Sequence, residues 1–139
     1  MGGGGDKRVT EYNPCANTWR NMQSLQKGRS GYSVCTLDNK IFVLGGGRDT
    51  TCEMLDLSDE YPQWRNIASM NSRHYGCGAV VIEKKIYVLG GYHSSVEVYD
   101  VDQGILMEYL QIIIFDICRS VEYCYQHANL ESEARCSCT

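Results

Sequence analysis

One phrase occurs twice in this chain and limits what it can fold into. Lys40-Ile41-Phe42-Val43-Leu44-Gly45-Gly46 returns 45 residues later as Lys85-Ile86-Tyr87-Val88-Leu89-Gly90-Gly91, and Gly4-Gly5 stands 41 residues before the first glycine pair. Each phrase is a short apolar run, rich in β-branched and aromatic residues, that stops on paired glycines. A buried strand running into a tight turn reads in this way.

The segments between the glycine pairs recur in a fixed order. Val9-Thr10-Glu11-Tyr12-Asn13 corresponds to Cys52-Glu53-Met54-Leu55-Asp56 and to Val96-Glu97-Val98-Tyr99-Asp100. The first two are followed by a tryptophan phrase, Trp19-Arg20-Asn21-Met22 and Trp64-Arg65-Asn66-Ile67, then by a hydrophobic stop and an arginine, Leu25 with Arg29 and Met70 with Arg73. A further apolar strand, a polar turn (Asp38-Asn39-Lys40; Glu83-Lys84-Lys85) and the glycine-ended strand complete the unit. Short strands separated by turn chemistry, repeated with a period in the forties, describe the blades of a β-propeller.

The glycine pairs, the Tyr-Asp or its equivalent about eight residues on, and the tryptophan beyond resemble the kelch repeat over residues 2–103. The resemblance implies an all-β chain, a partial kelch β-propeller of about two blades of four-stranded antiparallel sheet. It also implies a strand order of innermost strand, glycine-ended strand, Tyr-Asp strand and outer tryptophan strand. On that order the chain holds the last two strands of one blade (residues 9–25), one whole blade (31–70) and the first three strands of another (76–101). Closed propellers use roughly four to eight blades, so no ring closes within this chain. A blade's faces are covered by its neighbours, and Trp19, Trp64, Tyr87 and Tyr99 are expected in the core between blades. The glycine pairs are expected to serve turn geometry and close packing. No glycine-lysine-Ser/Thr follows them, which argues against a phosphate cradle.

After Gln103 the repeat breaks off where a third tryptophan phrase is due. We therefore divide the chain into kelch repeats at 1–103 and a divergent tail at 104–139, and expect the fourth strand of the last blade to be missing. Leu106, Leu110, Ile113, Ile117, Val121, Cys124 and Ala128 recur at three- and four-residue steps, the spacing of an amphipathic helix. The β-branched run 112–117 supports a competing strand reading. A switch in mid-blade is what an alternative C-terminus, a gene-model error or a truncated paralogue produces.

A net charge of -4 argues against nucleic acid or an anionic membrane surface as the main partner. The longest apolar run, 105–117, is interrupted by Glu108, Gln111 and Asp116 and falls short of a membrane span. The first residues lack the apolar core of a secretory signal. A cytoplasmic setting is expected, with the eight cysteines mostly free thiols. Cys35 and Cys77 lie in apolar strand patterns, where a thiol acts as a small hydrophobe. Cys124-x-x-His127 and Cys136-x-Cys138 approach zinc spacing too loosely to predict a metal site. Neither a catalytic motif nor a cofactor fingerprint is present, and an enzyme is not expected.

Function is expected in the loops. In a propeller, the loop entering each inner strand and the loop after each glycine pair share one face. Arg29, Arg48, Arg73, His74, Tyr92 and His93 fall in those loops and are the candidate partner-binding residues. Arginines converging on one rim suit carboxylates, so the expected partner is a protein or acidic peptide. Arg29 and Arg73 have an alternative role in tying loops together. Open blade edges would also allow self-association. The resemblance implies substrate recognition in cullin-based ubiquitin ligases, or actin binding. The BTB domain that precedes the propeller in such adaptors is not seen in this sequence. A piece of a galactose-oxidase-like or sialic-acid-epimerase-like propeller enzyme, or a truncated non-functional isoform, are the alternatives.

Overall fold

The computed structural model describes residues 5–47, 49–91 and 95–109. Among these there are ten strands and no helix: β1 (Thr10–Asn13), β2 (Thr18–Asn21), β3 (Ser33–Leu37), β4 (Lys40–Leu44), β5 (Cys52–Asp56), β6 (Trp64–Ile67), β7 (Gly78–Ile82), β8 (Lys85–Leu89), β9 (Val96–Asp100) and β10 (Ile105–Tyr109). They form a β1-β2 pair and two four-stranded sheets ordered β3-β4-β5-β6 and β7-β8-β9-β10. The all-β reading, the strand order and the partial propeller are as expected from the repeat.

Turn chemistry sets the register. Asp38 and Asn39 both take positive φ, as do Glu83 and Lys84. Each pair is therefore a two-residue hairpin loop matched to the strand twist, closing Leu37 on Lys40 and Ile82 on Lys85. The polar residue ending the third strand of each repeat caps the next turn. Asn13 accepts from the amides of Cys15 and Ala16 at 3.0 and 3.1 Å, Asp56 from Ser58 at 3.0 Å, and Asp100 from Asp102 and Gln103 at 3.1 and 3.0 Å. Side-chain capping of this kind is why Asn and Asp mark strand exits.

The fourth strand of the last sheet, expected to be missing, is present. Gly104, at φ 68°, closes the turn that Asp100 caps, and its amide donates to the Asp100 carbonyl at 2.9 Å. Ile105–Tyr109 then lies beside β9. The blade therefore runs past the expected boundary at 103, and residues 106–109 are strand instead of the start of a helix. The rest of the expected helix falls outside the described residues.

The glycine pairs do what close packing requires. A Cβ on Gly46 would stand 2.8 Å from the Ser30 carbonyl oxygen, and one on Gly91 would stand 2.6 Å from that of Tyr75. Both positions have φ of 88°, which only glycine adopts without strain. The chain entering each inner strand thus lies directly against the glycine-ended strand of its own sheet.

Two apolar layers separate the sheets. Val9, Leu25, Val43, Leu55 and Trp64 fill the layer between the first sheet and the second. Phe42, Leu44, Cys52, Met70, Ile86, Val88 and Tyr99 fill the layer between the second and the third. β4 contributes Val43 to one layer and Phe42 and Leu44 to the other. A strand buried on both faces reads as an unbroken apolar run, which explains the recurring phrase. Of the aromatic residues expected inside, Trp64 and Tyr99 are buried and Tyr87 is half-buried. Trp19 is 69% exposed and stacks on Tyr12, also exposed, with ring centroids 4.8 Å apart. The pairs Leu55↔Trp64 and Tyr12↔Trp19 occupy the same register, but the first faces the preceding sheet, and no described residue covers the second.

This contrast makes a stability prediction. Trp64→Ala should cost about 3–5 kcal/mol in urea unfolding, as large core truncations do. Trp19→Ala should stay within about 0.5 kcal/mol, as surface changes do. Equal losses would mean that Trp19 is covered.

Candidate functional site

The residues expected to face a partner divide at once by burial. Arg29 and His74 are buried, Arg73 is exposed, and Arg48, Tyr92 and His93 lie outside the described residues.

Arg29 enters the protein between β2 and β3 and meets Glu53, a fully buried carboxylate on β5. Its Nε and one terminal nitrogen donate to Glu53 Oε1 at 3.1 and 3.0 Å. The other terminal nitrogen donates to the Gly45 carbonyl at 2.9 Å and to the Thr51 carbonyl, and the nitrogen that bonds Glu53 also donates to the Thr51 hydroxyl at 2.9 Å. Glu53 also accepts the backbone amides of Gln26 and Lys27 at 2.7 and 3.2 Å. The carboxylate therefore gathers the incoming loop through Arg29 and through two backbone amides just before it. The rigid guanidinium fork satisfies it and two carbonyls together, which a lysine does not do.

The same arrangement recurs one repeat later with a different cation. Glu97, buried on β9, accepts the amides of Asn71 and Ser72 at 2.7 and 2.8 Å and pairs with His74 Nε2 at 3.1 Å. His74 Nδ1 lies 2.8 Å from the Gly90 carbonyl. Arg29 stands four residues after the buried Leu25, and His74 four after the buried Met70. His74 is therefore the counterpart of Arg29, and the sequence alignment of Arg29 with Arg73 is one residue out of register.

This residue also joins successive repeats. The Gly5 amide donates to the Arg29 carbonyl at 3.2 Å, and the Gly46 amide to the His74 carbonyl at 3.0 Å. Each latch residue thus receives the glycine turn of the preceding repeat through its backbone and holds the glycine turn of its own through its side chain. Arg29 and His74 offer no surface to a partner, because both are buried and their side-chain nitrogens are all engaged inside. Tying loops together is what their geometry does. Arg73, displaced by one residue, points its charge to solvent.

Glu53 and Glu97 were not singled out from sequence. The signal was available: an acid in an otherwise apolar third strand, recurring at the same repeat position. The exposed Lys27 pairs with Asp49. Of the described rim cations named at the outset, Arg73 alone remains exposed.

The described cysteines, Cys15, Cys35, Cys52 and Cys77, are free. Burial pushes Cys35 up to about 12 and raises Cys52 and Cys77 as well. Their thiolates are disfavoured, and thiolate is the reactive form. No three His, Cys, Asp or Glu side chains gather as metal ligands among the described residues.

Three outcomes follow from this geometry. Arg29→Ala should destabilise the protein by about 3–5 kcal/mol, because Glu53 is left buried without its cation. Arg73→Ala should change stability by no more than about 0.5 kcal/mol in the same urea titration. In native protein at pH 8, iodoacetamide should modify Cys15 while leaving Cys35, Cys52 and Cys77 intact, read by peptide mass spectrometry.

Comparison with known proteins agrees with this architecture. A solved structure titled "Structure of YjhT" matches with a TM-score of 0.56 at 14% identity, over 59% of this chain and 27% of that one. This chain therefore spans about a quarter of the length of that propeller. No curated protein matches the chain. The Kelch motif model matches residues 28–71 and 73–105, more than half of the sequence. The chain belongs to the Kelch motif family.

Proposed function

We propose that this chain is a protein-interaction module that binds an acidic peptide or protein segment through the loop face around Arg73, without enzymatic activity and in the cytoplasm. The observation that carries this reading is the unequal use of charge in the loops. Arg29 and His74 are consumed by buried carboxylates, while Arg73, next to a latch in sequence, remains at the surface. Kelch repeats build propeller modules that generally mediate protein-protein contacts. An exposed guanidinium on a loop tied down by a buried network docks a carboxylate without the added cost of ordering that loop. Arg48, Tyr92 and His93, expected on the same loop face from the repeat pattern, are proposed to widen this surface. Substrate recognition for a cullin-based ubiquitin ligase and actin binding are the finer roles this reading favours. Both require partners beyond this chain, which covers 27% of its structural neighbour.

Self-association is a second reading, favoured by the bare Tyr12–Trp19 pair on the two-stranded first sheet. An uncovered aromatic pair whose equivalent in the next sheet is buried is suited to receiving another sheet. Light scattering on the chain with and without Trp19→Ala distinguishes a monomer from an assembly held at this face.

The binding reading is tested with a fluorescent acidic peptide. Affinity should fall as salt rises, and Arg73→Ala should weaken it by roughly two- to fivefold, the worth of an exposed charge pair. Unchanged affinity in Arg73→Ala would overturn the assignment of this face.

A further inference from the structure

Arg29 and His74 fill the same place in successive repeats with different proton chemistry. Both ring nitrogens of His74 face acceptors. The Gly90 carbonyl, 2.8 Å from Nδ1, has no proton to give, so Nδ1 must carry one. On the other side, Glu97 Oε1 lies 3.1 Å from Nε2 and already accepts the Ser72 amide, while Oε2 accepts the Asn71 amide. Backbone N–H donors to both oxygens of a carboxyl group favour its charged form. A neutral imidazole protonated at Nδ1 would then turn its Nε2 lone pair toward a carboxylate oxygen inside a fully buried site. The arrangement is attractive only when Nε2 also carries a proton.

We propose that the His74–Glu97 pair is a proton-dependent latch, which holds the loop entering the third sheet in place while the imidazole keeps both ring protons. The neighbouring Arg29–Glu53 latch is its insensitive counterpart, since a guanidinium keeps its charge throughout the working range. The groups around His74 supply no replacement cation among the described residues. Glu97 faces it from β9. Cys52 on β5 is held as a neutral thiol by burial, and the Cys77 thiol donates to the His74 carbonyl at 3.8 Å. Met70 presents no charge to it, the Arg29 guanidinium on the Gly45 carbonyl is taken up by Glu53, and Arg73 is exposed.

The sign of the pH effect follows from the proton count. Above the pH at which a solvent-exposed imidazole gives up its second ring proton, about 6.5, the closed latch holds one more proton than the opened one. As pH rises above that range, opening the latch releases the Nε2 proton to solvent, and closing must recover it. Opening should therefore become easier as pH increases. The pH at which closure fails depends on how strongly Glu97 retains the proton.

The two repeats provide an internal control. Amides of Asn71 and Ser72 bond Glu97, and those of Gln26 and Lys27 bond Glu53. Native-state hydrogen exchange from pH 6 to 9, corrected for the intrinsic rate, reports the opening of each latch. The opening constant at Asn71 and Ser72 should rise with a limiting slope of about tenfold per pH unit, the signature of one proton. Gln26 and Lys27 should show no such rise. His74→Arg should flatten the response at Asn71 and Ser72. In the unsubstituted protein, ¹⁵N spectra at neutral pH should show both His74 ring nitrogens protonated. A neutral ring while Asn71 and Ser72 stay protected, or the same pH response at both latches, would overturn the proposal.

Discussion

A buried carboxylate on the third strand of each sheet organises the described fold. Glu53 and Glu97 receive backbone amides from the loop that leads into the sheet, together with the side chain of Arg29 or His74. Such a carboxylate is costly to bury and becomes tolerable when every acceptor position is filled. That requirement dictates the path of the loop, and the loop places the inner strand. Because the Arg29 and His74 carbonyls also receive the glycine amides of the preceding repeat, one polar node connects strand, loop and neighbouring sheet. Apolar layers supply most of the driving force on either side, but they do not by themselves select a loop conformation.

Much of this was legible in the sequence because it depends on local chemistry. The Asp38-Asn39 hairpin, the glycine-ended strand and the strand-ending Asn or Asp each follow from what a few adjacent residues can adopt. The errors arose where local identity and tertiary position diverge. Arg29 was matched to Arg73 because both are arginines, whereas distance from the buried Leu25 and Met70 identifies His74. The strand Ile105–Tyr109 was missed because a tryptophan was expected there. The turn from Asp100 to Gly104, an Asp followed by a glycine at positive φ, was the better signal. The exposure of Trp19 was beyond local reading altogether, since burial of that position is decided by a different sheet.

The two latches show how a repeat can keep its geometry while changing its response. Arginine and histidine both reach a buried carboxylate and a glycine carbonyl from the same backbone position. Arginine provides five donors and a permanent charge; imidazole provides at most two, the second conditional on a proton. The arginine version also holds Thr51, so Arg29 ties three segments where His74 ties two. A change of cation that keeps the same loop path thus replaces a permanent charge with one conditional on a proton.

The contrast between Trp19 and Trp64 extends this reasoning from polar nodes to apolar ones. Their cross-strand partners, register and strand types are equivalent, yet one indole is 3% exposed and donates to the Gln23 carbonyl at 2.8 Å, while the other stacks on Tyr12 at the surface. Gln23 and Leu25 belong to the segment that leaves the first sheet, so the seat of each tryptophan is built by the repeat before it. In such an array a residue's contribution belongs to the junction between repeats and not to the repeat alone. The first sheet, with two strands and its tryptophan uncovered, presents one half of a junction whose complete form lies one repeat along in the same chain.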